Sequence, residues 1–143
     1  MFGGNYHREE SKPLAELGEQ EVILGIPTFK IKGVYQWLEF PITYAKGGEM
    51  SPDSFALFDV QNPSDPKEQS DFNKQATKIF DCFDIEPSFD AKRFPLWKGK
   101  RGVVILGRDK KGFVKVVGFK MSEVVKARRA QQNTLEEAGG YTG

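Results

Sequence analysis

A single cysteine, Cys82, and a single histidine, His7, occur in the 143 residues. One thiol cannot close an internal disulfide, and without a second Cys or His the usual zinc ligand sets are absent. Cys82 stands in a helix-like run between Asp81 and Phe83 and reads as a buried structural thiol. No stretch approaches the roughly 20 apolar residues needed to span a bilayer, so no membrane partner is expected. Met1 to Lys12 is polar and lacks the basic-then-apolar order of a secretory signal, which makes an intracellular protein the simplest expectation. Phosphate-cradling and nucleophile-elbow motifs are missing too. GGEMS from Gly47 and WKGKRG from Trp97 have the wrong spacing for a GxxxxGK[ST] loop, no GxSxG occurs, and His7 is isolated. Asp81, Asp84 and Glu86, with Asp90 nearby, are the one carboxylate cluster that a Mg²⁺ nuclease would use, and a solvated helix end accounts for them more simply. The expectation is a non-enzyme that needs no cofactor.

The chain is long enough for one hydrophobic core. Its apolar fraction of 38% and charged fraction of 29% fit a soluble domain, while the aromatic fraction of 13%, with twelve Phe, is high. A formal net charge of +1 conceals a strong segregation. Residues 1–91 carry 8 basic and 16 acidic side chains, a net of −8, and residues 92–129 carry 13 basic against 2 acidic, a net of +11. A concentrated positive charge points to a polyanionic partner; the alternative is a basic part balanced by an acidic part of the same protein.

Residues 1–18, with Gly3, Gly4, Pro13 and Gly18, read as an arm that orders only by docking. Val22, Leu24 and Ile26 alternate as a strand, Pro27 bends it, and Phe29 and Ile31 resume in the opposite phase before a turn at Gly33. Val34 to about Ala45 is the clearest strand, with Leu38, Phe40 and Ile42 facing a core and Tyr35, Trp37 and Glu39 facing away. Phe55 to Val60 is a short third strand. The period then changes: Phe72, Ala76, Ile79, Phe80 and Phe83 form a helical stripe from about residue 69 to 83, capped by Ser64 or Ser70 and closed by Pro87. Phe94 to Trp97 leads into a second β block. Val103 to Leu106 is a strand with Val104 and Leu106 on one face, RDKKG (108–112) is a hairpin turn, and Phe113 to Phe119 returns with Phe113, Lys115, Val117 and Phe119 on one side. Residues 122–138 give a ragged terminal helix on Val124, Val125, Arg128 and Leu135. The expected fold class is therefore mainly β: a five-stranded antiparallel barrel of the oligonucleotide-binding (OB) type with one inserted α-helix and a C-terminal helix. Any α+β domain with one helix on an antiparallel sheet is the broader alternative. The implied organisation is an arm at 1–18, an OB-like domain at 19–120, and a helix and tail at 121–143.

Single-strand binders combine a basic groove for phosphates with aromatic platforms for bases. Lys98, Lys100 and Arg101 precede the Val103 strand, Arg108, Lys110 and Lys111 occupy the hairpin, and Lys115 lies on the return strand. Tyr35, Trp37 and Trp97 are the candidate platforms. Competing readings cover Tyr35 and Trp37 with the arm or the last helix, make Trp97 a partly buried anchor of its loop, and leave the cations as solvated surface.

The VILGIPTFKIKG run from Val22, the VYQWLEF strand from Val34, and the helix followed by FPLWKGKRGVVILGRDKKGFVKVVGF together resemble the small single-stranded DNA-binding proteins of bacteriophages. The resemblance covers residues 19–120. It implies an OB barrel closed by the last block, and binding of single-stranded DNA without strong sequence preference. Such binding protects strands during phage DNA replication or recombination in the host-cell cytoplasm. It also makes RNA, a second copy of the chain, and replication or recombination proteins candidate partners. Glu136 and Glu137 before GGYTG depart from the acidic, Pro-Phe-like terminus through which bacterial relatives recruit partners, which puts recruitment by this tail in doubt. Two other function classes remain: a phage structural or adaptor protein using Tyr35 and Trp37 as interface anchors, and a small Mg²⁺-dependent nuclease.

Overall fold

The computed structural model describes Gly4 and residues 12–139, with side chains through Asn133. The readings placed on His7, on Leu135 as a side chain, on Glu136 and Glu137, and on the GGYTG end lie outside what it describes.

Among the described residues six strands make one antiparallel sheet: β1 (Gly18–Leu24), β2 (Thr28–Lys32), β3 (Tyr35–Tyr44), β4 (Ser54–Phe58), β5 (Arg101–Arg108) and β6 (Val114–Lys120). Helix α1 (Pro66–Phe83) and a 3₁₀ helix (Ala91–Trp97) lie between β4 and β5, and α2 (Glu123–Gly139) follows β6. Gly25 to Pro27 splits the first expected strand in two, because Pro27 has no amide to continue a ladder. Both pieces pair with β3: Thr28 to Lys32 with Glu39 to Tyr35, and Val22 to Leu24 with Tyr44 to Ile42. On its other side β1 pairs with β5 from Gly18↔Leu106 to Ile23↔Arg101, and β5 pairs with β6. The opposite edge of β3 carries β4.

The sheet does not close into a hydrogen-bonded barrel. Among the described residues no ladder joins β4 to β6; α1 packs against β4, β5 and β6, and the rings of Phe55 and Phe119 meet across the opening at 5.0 Å. The expected five-stranded barrel is thus corrected to an open sheet of six strands whose gap is filled by side chains and one helix.

One core serves the whole sheet. Phe40, Ile79 and Val104 are wholly buried, as their places in the two periodicities required. Four nearly parallel rings run through it: Trp97 on Phe40 (6.3 Å), Phe40 on Phe55 (4.8 Å) and Phe55 on Phe83 (6.0 Å). Such pairs add about 0.5–1.5 kcal/mol each beyond their burial. Helix α1 and β5 approach closely at Gly102, where a Cβ would stand 2.7 Å from the Phe83 ring and 2.9 Å from the Cys82 carbonyl oxygen.

Local details differ from the sequence reading for identifiable reasons. Helix α1 begins at Pro66, not near 69, because Asp65 caps it by accepting from the Lys67 amide and proline suits the first helical position; Ser64 and Ser70 do not cap it. The third strand ends at Phe58, two residues short of Val60. Residues 91–97 are a 3₁₀ helix capped by Asp90 rather than an extended lead-in. A bulge slips the β5–β6 register between Ile105↔Gly118 and Leu106↔Val116. The slip turns Phe119 toward the core with Val114 and Val116, instead of leaving it beside Lys115 and Val117. In the arm, Pro13 to Ala15 docks on Ser51 through two backbone hydrogen bonds, and Ala15 is buried. In α2, Val125 is buried while Val124 stays exposed.

Candidate nucleic-acid interface

Strand alternation decides what the outer face of the β2–β3–β4 ribbon presents. Leu38, Phe40, Ile42 and Tyr44 are buried, so Tyr35, Trp37 and Glu39 project from the other side of β3. Register sets Lys32 beside Tyr35, Lys30 beside Trp37, and Phe58 across from Trp37 on β4. Tyr35 and Phe58 are more than half exposed, and the Trp37 and Phe58 rings lie 5.6 Å apart. Lys30 is within 3.9 Å of Glu39. Neither arm nor last helix covers this face among the described residues. Three aromatic rings edged by two lysines therefore share one solvated surface. Lys30, Lys32 and Phe58 were not singled out in the sequence. Their signal was the antiparallel register of a hairpin turning at Gly33, which places residue i opposite residue 67 − i.

Trp97 is different. It is 4% exposed, flanked by Phe40, Phe80 and Phe94, and offers no free face to a base. Its expected role as a platform is replaced by that of a core anchor. The reason is the 3₁₀ helix, whose tight turn carries Phe94 and Trp97 to one side, onto the core.

The cations fall into three groups. Lys98 and Lys100 flank a turn pinned to the end of β1, where Gly99 donates to the Leu24 carbonyl and Leu24 donates to that of Lys100, both at 2.8 Å. This is the junction at which β1 passes into β2. Arg108, Lys110, Lys111 and Lys115 gather at the β5–β6 hairpin, at the far end of β5 from Lys100. Asp109 shapes that hairpin by accepting from the Lys111 and Phe113 amides, Gly112 supplies the positive φ of 85°, and Arg108 donates to the Gly112 carbonyl. The register thus sets the hairpin group and the Tyr35–Trp37 platform at opposite ends of the β1–β2 path. Arg101 forms the third case: it is held by Glu21 at 2.9 Å.

Much of the basic half is matched from within. Arg101–Glu21, Lys120–Glu19, Arg93–Glu86, Arg128–Asp84 and Arg129–Asp81 all join a cation after residue 92 to a carboxylate before residue 91. Among the described residues, Lys98, Lys100, Arg108, Lys110, Lys111 and Lys115 make no ion pair. The same pairs occupy three of the four clustered carboxylates. The fourth, Asp90, caps the 3₁₀ helix, and Asp84 also ends α1 in a left-handed conformation. Cys82 is buried, its Sγ lies 3.3 Å from the Val103 carbonyl oxygen, and burial pushes the thiol up to about 11. No helix among the described residues is long and apolar enough to cross a membrane.

No protein-family model matches the chain, and no curated protein sequence matches it.

Proposed function

We propose that this is an OB-type single-strand-binding domain, and that it holds single-stranded DNA on the outer face of the β2–β3–β4 ribbon. The observation that carries the reading is the juxtaposition of Tyr35, Trp37 and Phe58 on one solvated face with Lys30 and Lys32 beside them. Every base has a π-face, so rings of this kind bind without needing a particular sequence, at about 1–3 kcal/mol for each base stacked. Lys98 and Lys100 extend the cationic margin at the β1–β2 junction, and the hairpin lysines form a second contact zone for a longer strand. The order of pairings supports the OB assignment: a long first strand bent in its middle, paired with β3 and β5, and a helix before the final hairpin. Protection of single strands during phage DNA replication or recombination is the setting that the sequence resemblance implies.

The adaptor reading has one observation in its favour. Ile31 and Val34 at the ribbon tip are 69% and 78% exposed, more apolar surface than phosphates require. Fluorescence titration with labelled single and double strands of about 30 nucleotides, at about 50 mM salt with and without Mg²⁺, separates these readings. Preferential binding of the single strand, intact afterwards, supports the proposal. Absence of binding at that salt overturns it in favour of the adaptor, and Mg²⁺-dependent cleavage overturns it in favour of a nuclease.

A further inference from the structure

Beside the platform, at the end of the core layer, a cleft of about 290 Å³ opens between β2, the β3–β4 pair, the first half of α1 and the loop before the 3₁₀ helix. Its walls are aromatic: Phe29 on one side, and on the other Phe72 and Phe89, whose rings lie 5.7 Å apart. Leu38 and Leu57, both buried, line it more deeply, and Trp37 borders both cleft and platform. Two polar side chains interrupt this apolar lining, Gln36 and Asp59. Their placement is fixed by the backbone, since the Asp59 amide donates to the Gln36 carbonyl at 2.9 Å. The Asp59 side chain is held as well, because its Oδ1 accepts from the Val60 amide at 2.8 Å. Among the described residues its Oδ2 has no partner.

A mostly apolar, aromatic-walled space with a few oriented polar groups suits a flat heterocycle. The carboxylate disfavours phosphate, and Asp59, exposed at the mouth of the cleft, is open to the donors of a ligand seated there. We infer that this cleft takes one base of the bound strand and favours guanine, whose adjacent N1–H and N2–H₂ donors match a carboxylate. Thymine offers a single N–H flanked by two carbonyl oxygens, which a carboxylate repels. Cytosine and adenine present one amino group next to a ring acceptor and fall between. The inference rests on the single-strand reading above and adds a base preference to it.

The test compares an oligo(dT) strand with the same strand carrying one dG near its centre. Discrimination by a good bidentate pair is typically on the order of tenfold or more, so the dG-containing strand is expected to bind about tenfold tighter. In Asp59→Asn the amide replaces Oδ2 with a donor while its oxygen still accepts from Val60, so the preference for dG should disappear. Equal binding of the two strands by the native protein, or a dG preference that survives Asp59→Asn, overturns the cleft assignment and leaves the platform standing. Failure to bind either strand overturns both.

Discussion

The two ends of this sheet are built from one continuous strand path, yet their outer faces have opposite characters. On the β1–β5–β6 end, Glu19 meets Lys120 and Glu21 meets Arg101, and the cations left unpaired are gathered at the β5–β6 hairpin. On the β2–β3–β4 end, Tyr35 and Phe58 stand in solvent with the half-buried Trp37, beside Lys32 and a Lys30 that meets Glu39. The bend at Gly25 to Pro27 divides the two. The difference shows that positive charge along a sequence is a poor guide to where unpaired cations stand in the fold. What counts is the charge left over once the fold has paired its own carboxylates.

Both ends hang on one aromatic core, and the largest effect tests that claim. Phe40→Ala removes the ring between Trp97 and Phe55 and should cost about 3–5 kcal/mol in urea unfolding. A loss below about 1 kcal/mol would mean that the two ends do not share this stack. The next effect is on binding. Trp37→Ala should weaken oligo(dT) binding by about 1–3 kcal/mol with little change in its salt dependence, since stacking releases no counterions. Undiminished affinity would remove the platform from the comparison.

A smaller effect contrasts matched with unmatched cations. Replacing Lys110 and Lys111 with Ala should lower the salt slope by about 0.7 unit for each phosphate that a lysine no longer neutralises. Arg101→Ala should leave that slope unchanged and cost less than about 1 kcal/mol of stability, as expected for an exposed pair. The comparison breaks if Arg101 proves the stronger contributor to the slope.

The smallest effect concerns pH. The Cys82 thiol ionises at about 11 in the folded protein against 9.0 when free. The unfolded chain therefore loses this proton first, and the stabilisation is complete below pH 9.0 and declines as pH rises toward 11. Denaturant midpoints measured across that window should fall, and less so in Cys82→Ala. In the native state near neutral pH the thiol should resist a disulfide reagent.

The sequence by itself determined most of the elements and the core-facing sides of β3, β5 and α1. Alternation of period two in β3 and of period 3.6 in α1 is dictated by backbone geometry, so Phe40, Ile79 and Val104 could be assigned to the core without a structure. The exposure of Tyr35 followed from the same parity. Tertiary structure alone decided which residues became neighbours. The bulge in β6 moved Phe119 inward, because one extra residue reverses every side chain after it. The 3₁₀ turn buried Trp97, and the helix-filled gap left the sheet open. Cross-strand register brought Lys30, Lys32 and Phe58 to Trp37 and Tyr35. Ion pairs spanning 44 to 101 positions of sequence withdrew Arg101, Lys120, Arg128 and Arg129 from the basic half. Periodicity is local and depends only on chain geometry. Pairing is long-range and depends on which surfaces exclude water together, and no single segment carries that information.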